Sequence, residues 1–566
     1  MTIKTELEAA TGLLPTLKSQ IAASDPHAAK ATVDALVQHT SASREAANDP
    51  IWKAASWVPG LGTNLQAASE IATSADDIAR LGAVPLVSAF QSLNWKALTP
   101  RPSGMDLSPL KESAPSIDAA AQAVRESARR LDNIEVSGLL PQIASPLTTV
   151  RKDLETVTEQ LDSAADVAKL APTMLGSDSP RRYLLLMQNN AESRASGGIP
   201  GALAVVSLDA GKFKLESQTS ASSLGAFVPS VAIDAEQSAI FSPRVGKFMQ
   251  DVNLTPDFAT TAVTAHTMWE RKTGEQLDGV LSIDPIALSL LLDATGPVRM
   301  PDSIAQKTGT QLPSELTGGN VVRTLLSDVY AAIPDPALQD AYFAAAANEV
   351  FAVLSAGKTD PTKLLEAITE GVAQHRILLW SAAPTEQATI GKYPLAGLVS
   401  GSSVSPAQFG VYFNDGTGAK MDYWIKRSVQ VAKDCTRDGY RQVTIRVTST
   451  NTAPRDAASS LPKYVTGNGA FGVPPGSVQT NIVAYGPVQS NIDTVVKDGQ
   501  QIPFAAQRHS QRAVGTSTIR LAPGESTSVE FNFGHIVQHS DPKLVVTPTT
   551  QPIKDVIQGT VEGACE

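Results

Sequence analysis

The stretch SDSPRRYLLLMQ (177–188), followed by ALAVVSLDAGKFKLES (202–217), decides the fold of this chain. A short leucine run after a proline predicts a buried strand. The second segment predicts a hairpin that turns at Asp209, Ala210 and Gly211. β-Structure therefore begins near residue 177, after a region with a different pattern.

Residues 1–175 carry the pattern of amphipathic helices, and we expect a helical bundle or stalk. Apolar residues recur at intervals of three and four in three alanine-rich segments, AKATVDALVQH (29–39), NLQAASEIATSADDIARLGA (64–83) and IDAAAQAVRESARRLDNI (117–134). Proline and glycine in SWVPGLG (56–62) and TPRPSG (99–104) predict breaks between helices. Heptads are not sustained, which favours a bundle or stalk over a long coiled coil.

Residues 176–424 alternate strands with helices, which predicts a layered α/β domain. Helical patterns lie at 260–274, 286–296, 318–333 and 338–357, and strand patterns lie at 277–284, 375–382 and 408–415. Residues 425–566 contain short strands separated by proline, glycine and asparagine turns, which predicts a β-sandwich. The fold class expected from sequence is therefore multidomain α and β.

The composition argues against two functional classes, general nucleic-acid binders and proteins with a Cys/His zinc site. The 566 residues have a formal net charge of −10, which argues against general nucleic-acid binding because phosphate neutralisation needs the opposite balance. Seven scattered histidines and two cysteines cannot build a Cys/His zinc cluster, so we expect no such metal site.

The two cysteines, Cys435 and Cys565, open and close the last domain. We predict a disulfide between them, with two unrelated free thiols as the alternative. Disulfides form in oxidising compartments. No apolar run approaches the length of a membrane span. The expectation is therefore an extracytoplasmic protein whose membrane anchor is absent from this chain.

The segment RRYLLLMQNNAESRASGGIPGALAVVSLDAGKFKL (181–215) resembles the opening of the bacterial domain-of-unknown-function 4012 family. Further motifs of that family resemble VNLTPDFATTA (252–262), LDGVLSIDPIALSLLLDATGPV (277–298), HRILLWSAAPTEQATI (375–390) and FNDGTGAKMDYW (413–424). On these motifs the chain is identified as a member of the family, whose description carries no activity.

The order of the strands around Arg194, followed by LLLDATGPVRM (290–300), is similar to that of the LytR–CpsA–Psr phosphotransferases. Those enzymes transfer glycan from a polyprenyl-pyrophosphate carrier to cell-wall polymer outside the membrane. The resemblance implies that Arg194, with Mg²⁺ as a possible cofactor, holds the pyrophosphate. It also implies that SLLLDA (289–294) and AAAANEVFAVL (344–354) wall a tunnel for the polyprenyl chain, with ordinary core packing as the alternative.

Most of the other phosphate-clamping arginines of those enzymes have no counterpart here. ESQTSAS (216–222) stands where they carry a proline–arginine–aspartate turn, and Arg323 is out of register with their later arginines. Fewer guanidinium groups weaken a bidentate pyrophosphate clamp. We therefore expect glycan binding more than glycan transfer.

The densest polar stretch surrounds Arg194. We expect a substrate-binding group that consists of Asn189, Asn190, Glu192, Gly197, Gly198, Arg323 and Lys420. A glycine pair lets backbone amides approach an anion closely. The structural alternative is an ion pair between Glu192 and Arg194. In AKMDYW (419–424), Lys420 and Asp422 are expected on one face of a strand.

Three residues are candidates for catalysis, namely Arg194, Asp257 and Asp278. The aspartates open a second hypothesis, a glycoside hydrolase of envelope polysaccharide that uses two carboxyl groups. A helix N-cap for Asp257 and a turn role for Asp278 are the structural alternatives. A third hypothesis is a scaffold without catalysis, which predicts a filled apolar site around an ion-paired Arg194.

The function expected from sequence is a role in cell-envelope or exopolysaccharide assembly. The expected ligand is a cell-envelope glycan or a polyprenyl-linked glycan, bound at the Arg194 loop. The expected partners are that glycan and the membrane, without nucleic acid.

Overall fold

The computed structural model describes residues 2–23, 25–59, 61–92, 104–309, 312–356 and 359–560. It is a mixed α/β structure with a helical N-terminal region and a strand-rich C-terminal region, as the sequence predicts at this level. The chain divides into two compact units. The first contains the helical region up to Pro180 with the turn Asp209–Gly211, and the second contains Arg181–Leu208 and the chain from Lys212 onward. Within the described ranges no helix is long and apolar enough to cross a membrane.

The first unit is helical. Its helices are α1 Thr2–Ala22, α2 Pro26–Ala47, α3 Pro50–Ala55, α4 Gly62–Asp77, α5 Val84–Ser92, α6 Ser108–Asp132 and α7 Pro141–Met174, with a π-helical turn Ile78–Ala83 between α4 and α5. The SWVPGLG break (56–62) separates α3 from α4, and most of the TPRPSG break (99–104) lies outside the described residues. Small side chains such as Ala29, Ala72 and Ala120 are fully buried. Helices with such faces can pack closely.

Among the described residues, all the strands lie in the second unit. They are β1 Arg181–Arg194, β2 Gly197–Asp209, β3 Lys212–Ser220, β4 Gly279–Ile283, β5 Val298–Arg299, β6 Glu315–Leu316, β7 Ile377–Ser381, β8 Gln408–Asp415, β9 Ile425–Arg437, β10 Tyr440–Asn451, β11 Val478–Val488, β12 Asn491–Lys497, β13 Gln500–Ile502, β14 Ala505–His509, β15 Arg512–Leu521, β16 Ser526–Ile536, β17 Lys543–Val546 and β18 Ile557–Gln558.

The helices of the second unit lie mostly between the strands of its first half. They are α8 Ala235–Phe241, α9 Phe258–Thr273, α10 Pro285–Thr295, α11 Asp302–Thr308, α12 Val321–Arg323, α13 Val329–Ala332, α14 Pro336–Ser355, α15 Pro361–Ala373, α16 Pro384–Ile390, α17 Ala457–Ser460, α18 Lys463–Thr466 and α19 Ile553–Val556. A π-helical turn, Thr324–Asp328, joins α12 to α13. Short 3₁₀ turns occupy Ala221–Leu224, Pro243–Gly246, Met249–Asp251, Pro394–Ala396, Met421–Trp424 and Gly467–Gly469.

The leucine run of β1 lies at the centre of a five-stranded sheet with the order β3-β2-β1-β4-β7. β1 pairs antiparallel with β2 and parallel with β4. Successive side chains of a strand point to opposite faces. Leu184 and Leu186 pack on one face in a core that includes Phe258, Ala262 and Met268 of α9. Neighbouring residues of β1 face the other side of the sheet, where helices α10, α14 and α15 also supply apolar side chains.

Two further sheets share a second core. One has the order β13-β12-β16-β10-β9-β18 and the other β14-β15-β11-β8-β17. Phe409 and Phe413 from one sheet join Val447, Phe531 and Phe533 from the other in one buried cluster. Strand β8, which the sequence pattern placed with the α/β region, pairs with β11 and β17. Pairing between distant strands is invisible to a local sequence pattern, which explains this difference.

Cys435 lies in β9 and is disulfide-bonded. The sequence contains one other cysteine, Cys565. Cys565, the predicted partner, lies outside the described residues.

We predict that Phe531→Ala lowers the free energy of unfolding by about 3–5 kcal/mol, because the substitution leaves a cavity in the core shared by both sheets. Denaturant unfolding followed by circular dichroism measures the change. The control is Phe471→Ala, which removes a phenyl ring that is 69% exposed and should change stability by less than about 0.5 kcal/mol. Equal losses in the two variants would contradict the assignment of the core.

Candidate functional site

A cavity of about 1230 Å³ lies in the second unit. Pockets that enclose drug-sized ligands are roughly 300–1,000 Å³, so this one has room for a larger molecule. Its lining has an apolar part and a polar part. The apolar part comes from the free face of the β1 sheet and from helices α10, α14 and α15, and includes Leu185, Met187, Leu281, Ile283, Leu288, Leu291, Phe343, Val350, Phe351, Leu354, Leu364 and Ile368.

This apolar lining includes both segments that the sequence analysis named as walls of a tunnel. Leu291 comes from SLLLDA (289–294), whereas Ala346, Ala347, Val350 and Leu354 come from AAAANEVFAVL (344–354).

The polar part of the lining is organised by an interruption of β1. Asn189 pairs with Ile199 and Ser193 pairs with Gly198, so the three residues between Asn189 and Ser193 have no partner on β2. Such a bulge redirects side chains out of the regular alternation. Glu192 in this bulge lines the cavity, whereas Asn190 points to Asp284, whose Oδ2 accepts from Asn190 Nδ2 at 3.0 Å.

Five charged side chains alternate in sign in one connected series, which we call the charge chain: Lys420, Glu192, Arg194, Asp251 and Arg244. Glu192 joins two cations, since Oε2 lies 2.5 Å from Lys420 Nζ and Oε1 lies 3.1 Å from Arg194 Nη2. Asp251 joins Arg194 to Arg244 through contacts of 3.3 and 2.8 Å to their Nη2 atoms. Three cations and two carboxylates give the charge chain a net charge of +1.

The charge chain is buried except at Arg244, whose side chain is 59% exposed. Burial raises the pKa of Glu192, but the Lys420 ammonium and the Arg194 guanidinium outweigh it and hold the pKa below its usual value. Burial lowers the pKa of Lys420, and the negative charge of Glu192 outweighs it and raises the pKa. Both groups are therefore charged at neutral pH.

Asp415 also lines the cavity, at the end of β8. Its oxygens accept backbone hydrogen bonds from Thr417 at 2.9 Å and Gly418 at 2.6 Å. Burial and then the negative charges of Asp422 and Glu192 raise the pKa of Asp415 to about 7. This carboxyl group therefore exchanges its proton near neutral pH.

Four of the residues selected from sequence line this cavity together: Asn189, Glu192, Arg194 and Lys420. Asn189 Nδ2 donates to the hydroxyl of Tyr330, another lining residue. Lys420 precedes the 3₁₀ turn Met421–Trp424, so the strand expected there does not form. Asp422 pairs with Arg427 and accepts from the amide of Ser193 at 2.9 Å.

The glycine pair serves the packing of the hairpin. A Cβ on Gly197, which has φ of +140°, would lie 1.9 Å from Gln188 Oε1, and one on Gly198 would lie 2.2 Å from the carbonyl carbon of Asn189. The Gly198 amide donates to Gln188 Oε1 at 3.0 Å. This amide is therefore not free for an anion, contrary to the expectation from sequence, because the closely apposed hairpin uses it.

The remaining candidates are not among the residues that line the cavity. Asp257 caps helix α9 by accepting from the amide of Thr260 at 3.2 Å. Asp278 accepts from Arg181 Nη1 at 3.1 Å and from the amide of Arg182 at 2.7 Å. Arg323 is exposed and pairs with Asp328 at 3.2 Å. The structure thus gives Asp257 the helix-cap role that the sequence analysis kept as its alternative, whereas Asp278 pairs with Arg181.

The Mg²⁺ implied by the phosphotransferase resemblance does not fit this donor set. Glu192 and Asp251 already bind two cationic side chains each. In the described part of the chain, no group of three or more His, Cys, Asp or Glu side chains is placed to hold a metal ion.

Sequence reasoning missed four residues of the site: Arg244, Asp251, Tyr330 and Asp415. Asp415 lies within FNDGTGAKMDYW (413–424), where its place among turn residues was a usable signal. Arg244 and Asp251 carry no local signal, since their role depends on Arg194, which is about fifty residues away in sequence.

We predict that Glu192→Gln destabilises the fold by about 3–5 kcal/mol at pH 7, because it leaves the buried Arg194 and Lys420 without their shared carboxylate. Because folding lowers the pKa of Glu192, its contribution is present above the unfolded pKa and is lost as pH falls through the folded pKa. Denaturant unfolding at several pH values measures this. Glu530→Gln, which breaks a surface pair with Arg446, should cost less than about 1 kcal/mol.

We predict that Asp415→Asn gains stability relative to the native chain as pH rises. The folded pKa of about 7 lies above the ordinary value, so the native chain loses stability between the unfolded pKa and pH 7. The amide side chain of the Asp415→Asn variant does not titrate, so the variant does not lose this stability. Unfolding midpoints of both proteins at pH 5 and pH 8 provide the measurement. A difference that is the same at both pH values would contradict the raised pKa of Asp415.

No curated protein matches the chain. One family model matches residues 178–330, which include β1, β2 and the segments that supply Glu192, Arg194, Arg244 and Asp251 to the charge chain. That family is described as a protein of unknown function (DUF4012), and the match confirms over residues 178–330 the resemblance that the sequence motifs indicate.

Proposed function

We propose that the protein binds a lipid-linked, phosphorylated glycan in this cavity and acts in the assembly of the bacterial cell envelope or exopolysaccharide. The observation that carries the proposal is the division of one large cavity into an apolar part and a charged part. A polyprenyl chain gains free energy by leaving water for the apolar part, at about 0.8 kcal/mol per buried CH₂. Its phosphate then lies at the charged part.

The charge chain supports an anionic head group at its exposed end. Arg244 is the cation of the charge chain that solvent reaches, so a negative group of a ligand can pair with it there. Arg194 has two carboxylate partners and is buried, so in this proposal it positions Asp251 and Glu192 rather than clamping phosphate by itself. This arrangement suits binding more than transfer of a glycan.

The disulfide of Cys435 supports an extracytoplasmic location, since disulfides persist in oxidising compartments. The resemblance to the LytR–CpsA–Psr phosphotransferases belongs to this proposal too. We propose that the β1 sheet and its helices form an α/β layer like that of the phosphotransferases. We also propose that the two strand-rich sheets that share the Phe531 core form a β-sandwich.

The two other hypotheses fit the cavity less well. A hydrolase that uses Asp257 and Asp278 needs two free carboxyl groups across a cleft, whereas both groups make structural contacts away from the lining. A scaffold agrees with the ion-paired Arg194, but it predicts a filled site where the protein has a cavity of about 1230 Å³.

We predict that Ala347→Phe weakens binding of a polyprenyl phosphate at least tenfold, because the new ring occupies the apolar part of the cavity. Isothermal titration calorimetry measures the affinity. The matched control is Ala352→Phe on the same helix, at an exposed position outside the lining, which should leave the affinity unchanged. Arg244→Ala should weaken binding of the phosphate but not of the uncharged polyprenol. Failure of the native chain to bind either lipid would exclude the proposed function.

A further inference from the structure

Two aromatic side chains of the cavity lining are exposed. Phe471 is 69% exposed and Tyr464 is 51% exposed, and both come from the connection between β10 and β11. Because both rings belong to the cavity lining and remain exposed, a ligand in the cavity can pack against them. They lie at its polar part, together with Asp415 and Lys420.

Contacts with the turn that follows β8 hold these rings in place. The Lys420 amide donates to the carbonyl of Val465 at 2.9 Å, which fastens α18 along that turn. The ring of Phe471 lies against the backbone of Gly418, where a Cβ would come within 2.4 Å of the ring. The glycine at 418, with φ of +65°, therefore allows this close approach.

Two side chains of the protein, Lys420 and Tyr330, lie beside the ring of Tyr464. Lys420 Nζ lies 5.9 Å from the centre of its ring, and the ring of Tyr330 lies 5.8 Å away at a tilt of 32°. Tyr330 in turn contacts Phe343 of the apolar lining at 5.8 Å. A series of aromatic rings thus connects the exposed edge with the apolar part of the cavity.

Asp415 places a hydrogen-bonding group beside the rings. Its Oδ2 accepts from the amide of Gly418, the same residue on which Phe471 lies. A carboxylate has about four acceptor positions, and backbone amides occupy one on each oxygen of Asp415. The other positions are available to the hydroxyl groups of a ligand.

We propose that Phe471, Tyr464 and Asp415 form a saccharide subsite, which holds a sugar of the lipid-linked ligand. The apolar C–H face of a pyranose packs on aromatic rings, and its hydroxyl groups donate to a carboxylate. The charges favour an uncharged sugar, because Asp415 disfavours an acidic one and Lys420 a basic one. This inference rests on the proposed function, since it assigns the head group of the same ligand.

The test compares two probes by isothermal titration calorimetry: a polyprenyl phosphate, and the same lipid phosphate that carries one neutral hexose. The native chain should bind the hexose-bearing lipid at least fivefold more tightly. Phe471→Ala and Tyr464→Ala should each remove most of that advantage and leave the affinity for the sugar-free lipid unchanged. Trp57→Ala, which removes an exposed aromatic ring from the helical unit, is the control and should alter neither affinity.

Equal affinities of the native chain for the two lipids would overturn the saccharide subsite and leave the proposed function standing. An equal loss for both lipids in Phe471→Ala would also overturn it, because the ring would then contact the lipid phosphate rather than the sugar. Binding of neither lipid by the native chain would overturn the proposed function together with the subsite. Circular dichroism spectra identical to that of the native chain establish that the variants are folded.

Discussion

The bridging of two buried cations by the Glu192 carboxylate is the interaction on which the rest of the site depends. Glu192 stands in a bulge of β1, and its two oxygens bind Arg194 from the same strand and Lys420 from the turn after β8. Removing charges from water costs several kcal/mol per ion, and only close contacts to opposite charges offset that cost. These ion pairs therefore fix the positions of the bulge, the turn and the Asp251 segment relative to one another.

This arrangement explains why one cavity has two characters. The regular part of β1 alternates its leucines between the core against α9 and the free face that lines the cavity. Where the bulge interrupts the alternation, charged side chains replace apolar ones in the lining. The transition from apolar to charged lining thus coincides with an interruption in the pairing of a single strand. An amphiphile with a long apolar chain and a small charged head matches this division.

The charge chain also limits the chemistry that the site can support. Each of its carboxylates is shared by two cations, so neither is free to bind a metal ion. Asp415 differs, because backbone amides hold it and two neighbouring carboxylates raise its pKa to about 7. The proton of Asp415 therefore couples the charge of the cavity to pH within the physiological range.

The sequence by itself determined the helical N-terminal region, the strand of the leucine run, the resemblance of residues 178–330 to a known family and the polar stretch around Arg194. These features are local, since they depend on periodicity and on motifs of adjacent residues. The sequence also predicted helices at 286–296 and 338–357, and α10 and α14 occupy most of these two ranges.

Only the tertiary structure decided which polar residues meet. Asp251 and Lys420 join Arg194 and Glu192 across more than fifty and two hundred residues, and no local pattern encodes such a pairing. The tertiary structure likewise decided that the amide of Gly198 donates to Gln188 and that Asp257 caps a helix. Local periodicity specifies elements, whereas the partners of a buried charge are chosen by packing between distant segments, because only there is the cost of burial offset.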